Sequence, residues 1–419
     1  MVLEIRISNF YSIQDEVVLD FRAANIKSAN AKALGNNIFE TSHGNILKTI
    51  VMYGANASGK SNIIKAIRYC HSMIFQSHLH NENTKFNFVP FKFDKQANKP
   101  SKYFIRFVLH DIEYEYAFAL YQDKIVTETL HYYPKGRIKE IFTREESKGK
   151  SKSDKYTFND LIKRPMDVAE STSNKTLFIS RASQMDRVIA KDIFNYFHSK
   201  FILNYLNFGI SAIEHFSTIN KNQLIQTLKI ADSDIVDVQV KVLKKPTKSI
   251  NADLTNMTLS VEDIVQDHIQ IKTFHRANPS IAFDFLTEES EGTKKLFFIM
   301  LTILDIIRHD KILLIDEIEE SLHPKIIEYI FNMFNAGSQA QLLCTTHNTI
   351  PLNLKKMRRD QIYFVNKKIN GSTDLYSLYD YSDFRDTMDV EKAYLQGRFD
   401  AIPLIDESSS NFKSIMDEK

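Results

Sequence analysis

The first residues of the chain, VLEIRIS (2–8), alternate apolar and polar side chains, the period-two pattern of a half-buried strand. VVLDF (17–21) repeats the pattern and predicts its partner. Residues 25–45, rich in Asn, Ala, Ser and Gly, predict a loop. LKTIVMYG (47–54) is an apolar strand that ends in a glycine-rich loop, and from Lys60 the period turns helical through Ile63, Ile64 and Ile67.

The middle of the chain alternates again. SKYFIRFVLH (101–110), IEYEYAFALY (112–121) and KIVTETLHYY (124–133) are rich in Tyr and Phe and closely spaced, which predicts an antiparallel meander. The charged stretch 135–155 predicts a hairpin followed by an exposed, flexible loop. Residues 185–232 read as helical, and IVDVQVKVLK (235–244), IQIKTFHR (269–276) and SIAFDFL (280–286) as strands. TKKLFFIMLTILDIIR (293–308) is apolar on most of its surface, so it predicts a deeply buried helix. KILLIDE (311–317), AQLLCTTH (340–347) and QIYFVNK (361–367) predict buried strands, with a helix at 323–335 opened by Pro324. No fixed-period repeat or long heptad run is present.

Composition narrows the class. The 419 residues suffice for two or three domains, or one large domain with insertions. Hydrophobic residues make up 43% and charged residues 25%, as in a globular protein with a real core. A net charge of +2 does not demand a nucleic-acid partner. The two cysteines, Cys70 and Cys344, cannot form a disulfide framework and fit a reducing compartment. Glu4 and Arg6 break the first apolar run, unlike a signal peptide. The longest apolar run, 296–308, is too short to span a bilayer and contains Asp305. The expectation is a cytoplasmic protein with no membrane partner.

The chemistry begins at GANASGKS (54–61), which fits G-x-x-x-x-G-K-[ST] between a predicted strand and helix. Gly54 and Gly59 let the backbone fold round a phosphate chain, and the helix start adds its positive end. Lys60 reaches the β- and γ-phosphates in such a loop, and Ser61 offers a hydroxyl to Mg²⁺. An apolar strand ending in Asp316 and Glu317 is what a Mg²⁺ site beside that loop requires: Asp316 for the metal shell, Glu317 as general base. Ser290-x-Gly292 before a helix reads either as an anion cradle or as an ordinary helix cap. His347, at the end of a predicted strand, can hydrogen-bond a γ-phosphate or serve structure alone.

The order of these features is itself informative. P-loop, long insertion, S-x-G, apolar strand with Asp-Glu, SLHP (321–324) and a strand-end TTH (345–347) together resemble the ABC-type ATPase heads of the SMC, RecF and OLD group. IRISNFYSIQD (5–15) is similar to the opening strand of that group, with its N-F-x-S, and Asn56 to the Asn of the SMC-type loop. GRFDAIP (397–403) resembles an ending common in AAA-family ATPases of abortive infection and phage defence, including RloA-type proteins.

The resemblance implies an α/β fold: a two-lobed ABC-type P-loop ATPase head, with a mixed sheet, an antiparallel β-subdomain and an inserted helical or mixed subdomain. The expected boundaries are 1–184, 185–285 and 286–419. It implies ATP and Mg²⁺ as ligands, with Gly54, Asn56, Ala57, Ser58, Gly59, Lys60, Ser61 and Asn62 round the nucleotide. It also implies head-to-tail dimers in which Ser290 and Gly292 reach the partner's γ-phosphate, while His347 senses its own. Ser321 and His323 then lie in the loop that crosses the dimer interface, and Gln184 between the lobes touches Mg²⁺. Two positions depart from the pattern. Ala57 stands where the SMC type usually has Gly, and Thr293 follows Gly292 where transporters have Gln or Glu. The absence of a long coiled coil argues against an SMC arm.

Weaker constellations have plainer readings. Cys70, His71, His78 and His80 lack clean metal-ligand spacing. The basic run 354–368 reads as a solvated face or as a surface for phosphate or an acidic partner. Three functions follow as expectations. The first is an ATP-driven dimerising switch that controls a separate effector, a nuclease or toxin, in antiviral defence. The second is a RecF-like ATPase with DNA as partner. The third is a scaffold whose ATP is structural.

Overall fold

The computed structural model describes residues 1–93, 97–203, 220–230, 234–253, 258–320, 322–336, 339–385 and 387–403. The chain divides into two compact units, Met1–Leu203 with Ile307–Lys419, and Asn204–Ile306. The expected insertion, 185–285, overlaps the second unit without sharing its bounds.

The first unit holds two large sheets. One has seven antiparallel strands in the order Tyr156–Phe158, Lys139–Glu145, Lys124–Tyr132, Ile112–Tyr121, Ser101–Leu109, Val2–Ser8, Val17–Asp20. The predicted meander forms its centre, and the N-terminal strand pairs on both sides. The other sheet has six strands in the order Phe201–Ile202, Ile312–Ile315, Gln341–Thr345, Thr49–Gly54, Ile362–Lys367, Thr373–Ser377. All its pairs are parallel except the last. Every residue of Thr49–Gly54 is buried, as its unbroken apolar run requires. The helix Lys60–Gln76 turns Ile63, Ile64, Ile67, Met73 and Ile74 into a core that both sheets share.

Two stretches differ from the sequence expectation. Within 25–45 lie a five-residue helix, Ala29–Ala33, capped by Ser28, and the hairpin Ile38–Thr41/Gly44–Leu47. Elements this short carry too few turns for a period to be read. Within 135–155, Arg144 is fully buried rather than exposed. Its guanidinium donates to Thr176 O (2.7 Å), Ser173 O (3.1 Å) and Glu146 Oε1 (2.8 Å), and lies 3.7 Å from Glu128 Oε2. Glu128, also fully buried, accepts from Phe178 N (2.6 Å), Ile179 N (2.9 Å) and the Tyr116 hydroxyl (2.9 Å). Burial pushes its carboxyl up, against Arg144 and these donors. Because both charges are hydrogen-bonded on all sides, the pair works as a buried clasp at the start of the helix Phe178–Gln184.

GRFDAIP (397–403) packs into the first unit. The helix Val390–Leu395 ends at Gly397, whose φ of 79° suits glycine, with Arg398 N donating back to Ala393 O (3.0 Å). Phe399, fully buried, then stacks on Phe364 (centroids 4.4 Å, 13°). Tyr394 and Tyr53 ring the same Phe364, and Tyr53 directly precedes Gly54.

The second unit contains the antiparallel strands Ile235–Asp253, Thr258–His275 and Asn278–Asp284, the helix Lys221–Ile230 and most of the helix Glu291–Arg308. His275 is held between Asp234 Oδ1 (2.8 Å) and Glu289 Oε1 (2.7 Å). Burial opposes its charged form, but the two carboxylate bonds outweigh that and its pKa is raised. Among the described residues no helix is long and apolar enough to cross a membrane.

Phe399→Ala should therefore destabilise the first unit by about 3–5 kcal/mol, the range for emptying a buried phenyl site. Chemical denaturation of the full chain measures this, and a loss below about 1 kcal/mol would remove the GRFDAIP motif from the core.

Candidate functional site

The strand Thr49–Gly54 delivers the chain to a loop that turns twice through the left-handed region, at Ala57 (φ 61°) and Gly59 (φ 115°). Both motif glycines are sterically required. A Cβ at Gly54 would stand 2.4 Å from Val365 O, and one at Gly59 would stand 2.0 Å from Thr373 Oγ1. Ala57 carries its Cβ through the same region, at a cost of about 1–2 kcal/mol that Gly avoids.

Lys60 opens the following helix and is buried. Its ammonium donates to Gly54 O (2.7 Å) and Ala55 O (2.9 Å). Burial lowers its pKa, and the nearby charges of Glu317, Asp316 and Glu319 oppose that.

The acidic pair stands just beyond Ile312–Ile315, and a residue of the next strand fixes it. The Thr345 hydroxyl donates to Asp316 Oδ1 (2.7 Å) and accepts from Glu317 N (2.7 Å). Ile318 N adds a bond to Thr345 O (3.1 Å). Together these hold Glu317 at φ 52°, a strained turn that leaves its side chain exposed. His347 follows two residues on, its backbone N–H donating to Glu319. Burial lowers the imidazole pKa first and the Lys60 charge second, against Glu319, Glu317 and Asp316. The ring is therefore held towards its neutral form, able both to donate and to accept.

These parts meet in one cleft of about 280 Å³, lined by Ser12, Ala55, Asn56, Ala57, Ser58, Gly59, Lys60, Ser61, Asn62, Glu317, His347 and Lys367. A larger cavity, about 530 Å³ between the loop at Leu352–Lys355 and the helix start at Asp389–Glu391, contains none of these groups. The donor set suits Mg²⁺. Ser61 lines the cleft, and Asp316, tied to Thr345, stands behind Glu317; both would offer hard oxygens, and Mg²⁺ takes one or two protein oxygens plus substrate phosphates rather than a full cage.

Sequence reasoning assigned no role to Ser12, Thr345, Lys367 or Thr373. Ser12 belongs to the quoted N-F-x-S, which was the available signal. Its hydroxyl lies 2.7 Å from Thr373 Oγ1 and accepts from Asn62 Nδ2 (2.7 Å), while Thr373 Oγ1 donates to Ser58 O (3.0 Å). A hydroxyl network thus buttresses the loop from the side.

Other expected residues lie elsewhere. Ser290 caps the helix Glu291–Arg308, its Oγ accepting from Thr293 N (3.1 Å), and a Cβ at Gly292 would meet that same Oγ at 3.8 Å, an ordinary contact. Both are exposed. Gln184, expected at Mg²⁺, ends an exposed turn of the helix Phe178–Gln184 and does not line the cleft; its amide donates only weakly to Ser183 Oγ (3.4 Å). The helix it ends is pinned instead near Ser77 and His78. Ser321 lies outside the described residues. His323 caps the helix Pro324–Asn335 through Nδ1. His71, His78 and His80 bond separately to Phe197 O, Ser180 and Lys175 O, and no metal-holding group of three exists among the described residues. In the basic run, Lys356 pairs with Glu328, Arg358 with Asp360 and Lys368 with Asp374.

Among curated proteins no relative matches. Solved structures resemble the chain distantly. An SMC head bound to the C-winged helix domain of ScpA has 14% identity and a TM-score of 0.40, covering 94% of this chain and 99% of that one. The SMC head domain from Thermotoga maritima has 12% identity and a TM-score of 0.40, covering 90% and 98%. An Smc head domain with coiled coil and joint from Pyrococcus yayanosii has 10% identity and a TM-score of 0.43, covering 95% and 99%. Likenesses this distant say nothing of activity or partners. Residues 50–352 match the family model described as "AAA domain, putative AbiEii toxin, Type IV TA system". That span covers well over half of the chain and takes in the P-loop, the acidic strand and His347, so the chain belongs to this family of AAA domains.

Proposed function

We propose that the chain binds ATP with Mg²⁺ in the P-loop cleft and hydrolyses it slowly, as a switch that closes two copies head to tail and controls a separate effector. The observation that carries this reading is the single cleft shared by Lys60, Ser61, Glu317 and His347, residues drawn from opposite ends of the chain.

In this reading the loop amides and Lys60 hold the phosphates. Lys60 leaves the two carbonyls it now satisfies when a stronger anionic acceptor arrives. Ser61 and Asp316 hold Mg²⁺, which offsets phosphate charge when bound. Glu317, exposed to the cleft, takes the proton of the attacking water. His347 hydrogen-bonds the γ-phosphate. Ser290 and Gly292, at the exposed start of an 18-residue helix, offer its positive end to the γ-phosphate of a second copy. The abortive-infection link of the family supports a defence role with a nuclease or toxin as effector. The RecF-like alternative is less favoured, because the basic run spends much of its charge on internal pairs.

Glu317→Gln should reduce phosphate release by about 10²–10⁴-fold, the usual weight of a general base, with ATP binding retained. Wild-type turnover in that variant would remove Glu317 from the role. Thr345→Val should cut turnover by about 10–100-fold through loss of the tie on Asp316 and Glu317, as for other residues that orient metal ligands. Thr345→Ser keeps the hydroxyl and should restore most of it. A titration of duplex DNA at low salt decides the alternative, since salt-sensitive tight binding would favour a DNA-acting ATPase.

A further inference from the structure

One wall of the cleft is not used by the chemistry above. The P-loop strand stands in mid-sheet. Gln341–Thr345 and Ile312–Ile315 lie on one flank and bring His347 and Glu317; Ile362–Lys367 lies on the other and brings Lys367. On the proposed reading, a triphosphate with its last phosphate at Glu317 and His347 would cross the loop and lead its nucleoside towards Lys367 and Ser12 on the opposite flank.

That corner carries an exposed aromatic ring. The segment Val89–Phe93 is tied to the N-terminal turn: Tyr11 N donates to Val89 O (2.6 Å) and Phe91 N to Asn9 Oδ1 (3.0 Å). Phe91 is buried, but Phe93 is 64% exposed. The Phe93 ring lies against Gly371 (φ 81°), the turn of the hairpin that joins Ile362–Lys367 to Thr373–Ser377. It comes within 3.1 Å of the point where a Cβ at Gly371 would stand, and Lys367 Cε lies 4.0 Å from that same point. Ring and lysine stem thus both border the same glycine. Lys368 pairs with Asp374 (3.2 Å), whereas the Lys367 ammonium has no ion-pair partner among the described residues.

We infer that Phe93 and Lys367 form the nucleoside wall of the cleft, the ring stacking on the purine base and the ammonium meeting the α-phosphate. The inference rests on the reading of the cleft as an ATP site. A phenyl ring has a face for any base, and an exposed one keeps it free for stacking. The lysine adds a second cation on the flank opposite His347.

The test is calorimetric titration of the full chain, with Mg²⁺, against ATP and separately against inorganic tripolyphosphate. Phe93→Ala should weaken ATP about tenfold, within the range of base–aromatic stacking, and leave tripolyphosphate binding unchanged. Phe93→Trp should restore ATP affinity. Lys367→Ala should weaken both ligands, because it acts on phosphate charge. In turnover, Phe93→Ala should raise KM and leave kcat in place, as loss of uniform binding does. The proposal is overturned if Phe93→Ala binds ATP like the wild type, or weakens ATP and tripolyphosphate equally. Failure of the ATP reading looks different: the wild type would bind neither ligand, and Lys60→Ala would change nothing.

Discussion

The cleft depends on the parallel pairing of Thr49–Gly54 with two strands from the far end of the chain, Gln341–Thr345 and Ile362–Lys367. Each neighbour supplies one wall. The first brings Thr345 and His347, and through Thr345 it also fixes the acidic turn of the strand beyond. The second brings Lys367, and its backbone at Val365 comes so close to Gly54 that no side chain fits there. The same close approach that demands glycine in the loop therefore locks the loop to the wall. Because these pairings are long-range, the site cannot form from its N-terminal half alone; the loop-closure cost is met only when both ends of the chain are in place.

Strain gathers at the same place. Ala57 and Glu317 are two non-glycine residues with positive φ, and both line the cleft. Such conformations persist only where their surroundings over-determine them. For Glu317 that surrounding is the Thr345 hydroxyl and the bond from Ile318; for the loop of Ala57 it is the Ser12–Thr373 network and the grip of Lys60 on two carbonyls. The Lys60 bonds keep a buried ammonium satisfied, which an unpaired charge at that depth would not be.

How far the sequence shows this depends on the kind of signal. Long apolar runs such as ILLI and TIVMYG announce buried strands, because every position carries the same information. The P-loop and the Asp-Glu pair are legible because their chemistry needs fixed residue types at fixed spacing. Thr345 is different: a threonine at a strand end is ordinary, and only the pairing register places its hydroxyl between Asp316 and the Glu317 amide. Arg144 misleads for a related reason. A charged run of KGRIKEIFTREESKGKSKSDK predicts solvent, yet a single arginine in it meets Glu128 and two carbonyls that tertiary structure brings together. Ser290 keeps both of its readings. It is a helix cap by its hydrogen bond, and its exposure leaves the helix start open to a second copy.

The two sides of the cleft differ in build. The wall of Glu317 and His347 springs from buried strand ends, its backbone fixed by Thr345 and Glu319, with Asp316 tied to Thr345 behind it. In the proposed reading, a fixed backbone of this kind favours the preorganisation that stabilises developing charge. On the opposite side the exposed Lys367 leads from the cleft into the hairpin turn at Gly371, against which the exposed Phe93 ring lies; the hairpin is anchored by Thr373 and the Asn370–Gln14 bond (2.8 Å). Its tip can adapt at little cost, which suits affinity rather than chemistry. Beneath the loop the packing is aromatic: Tyr53, Tyr394 and Phe399 surround Phe364, so the GRFDAIP motif supports the strand that leads into the P-loop. A change that loosens Phe399 thus reaches the loop through Phe364 and Tyr53, whereas Phe93 packs on Phe91, outside this cluster.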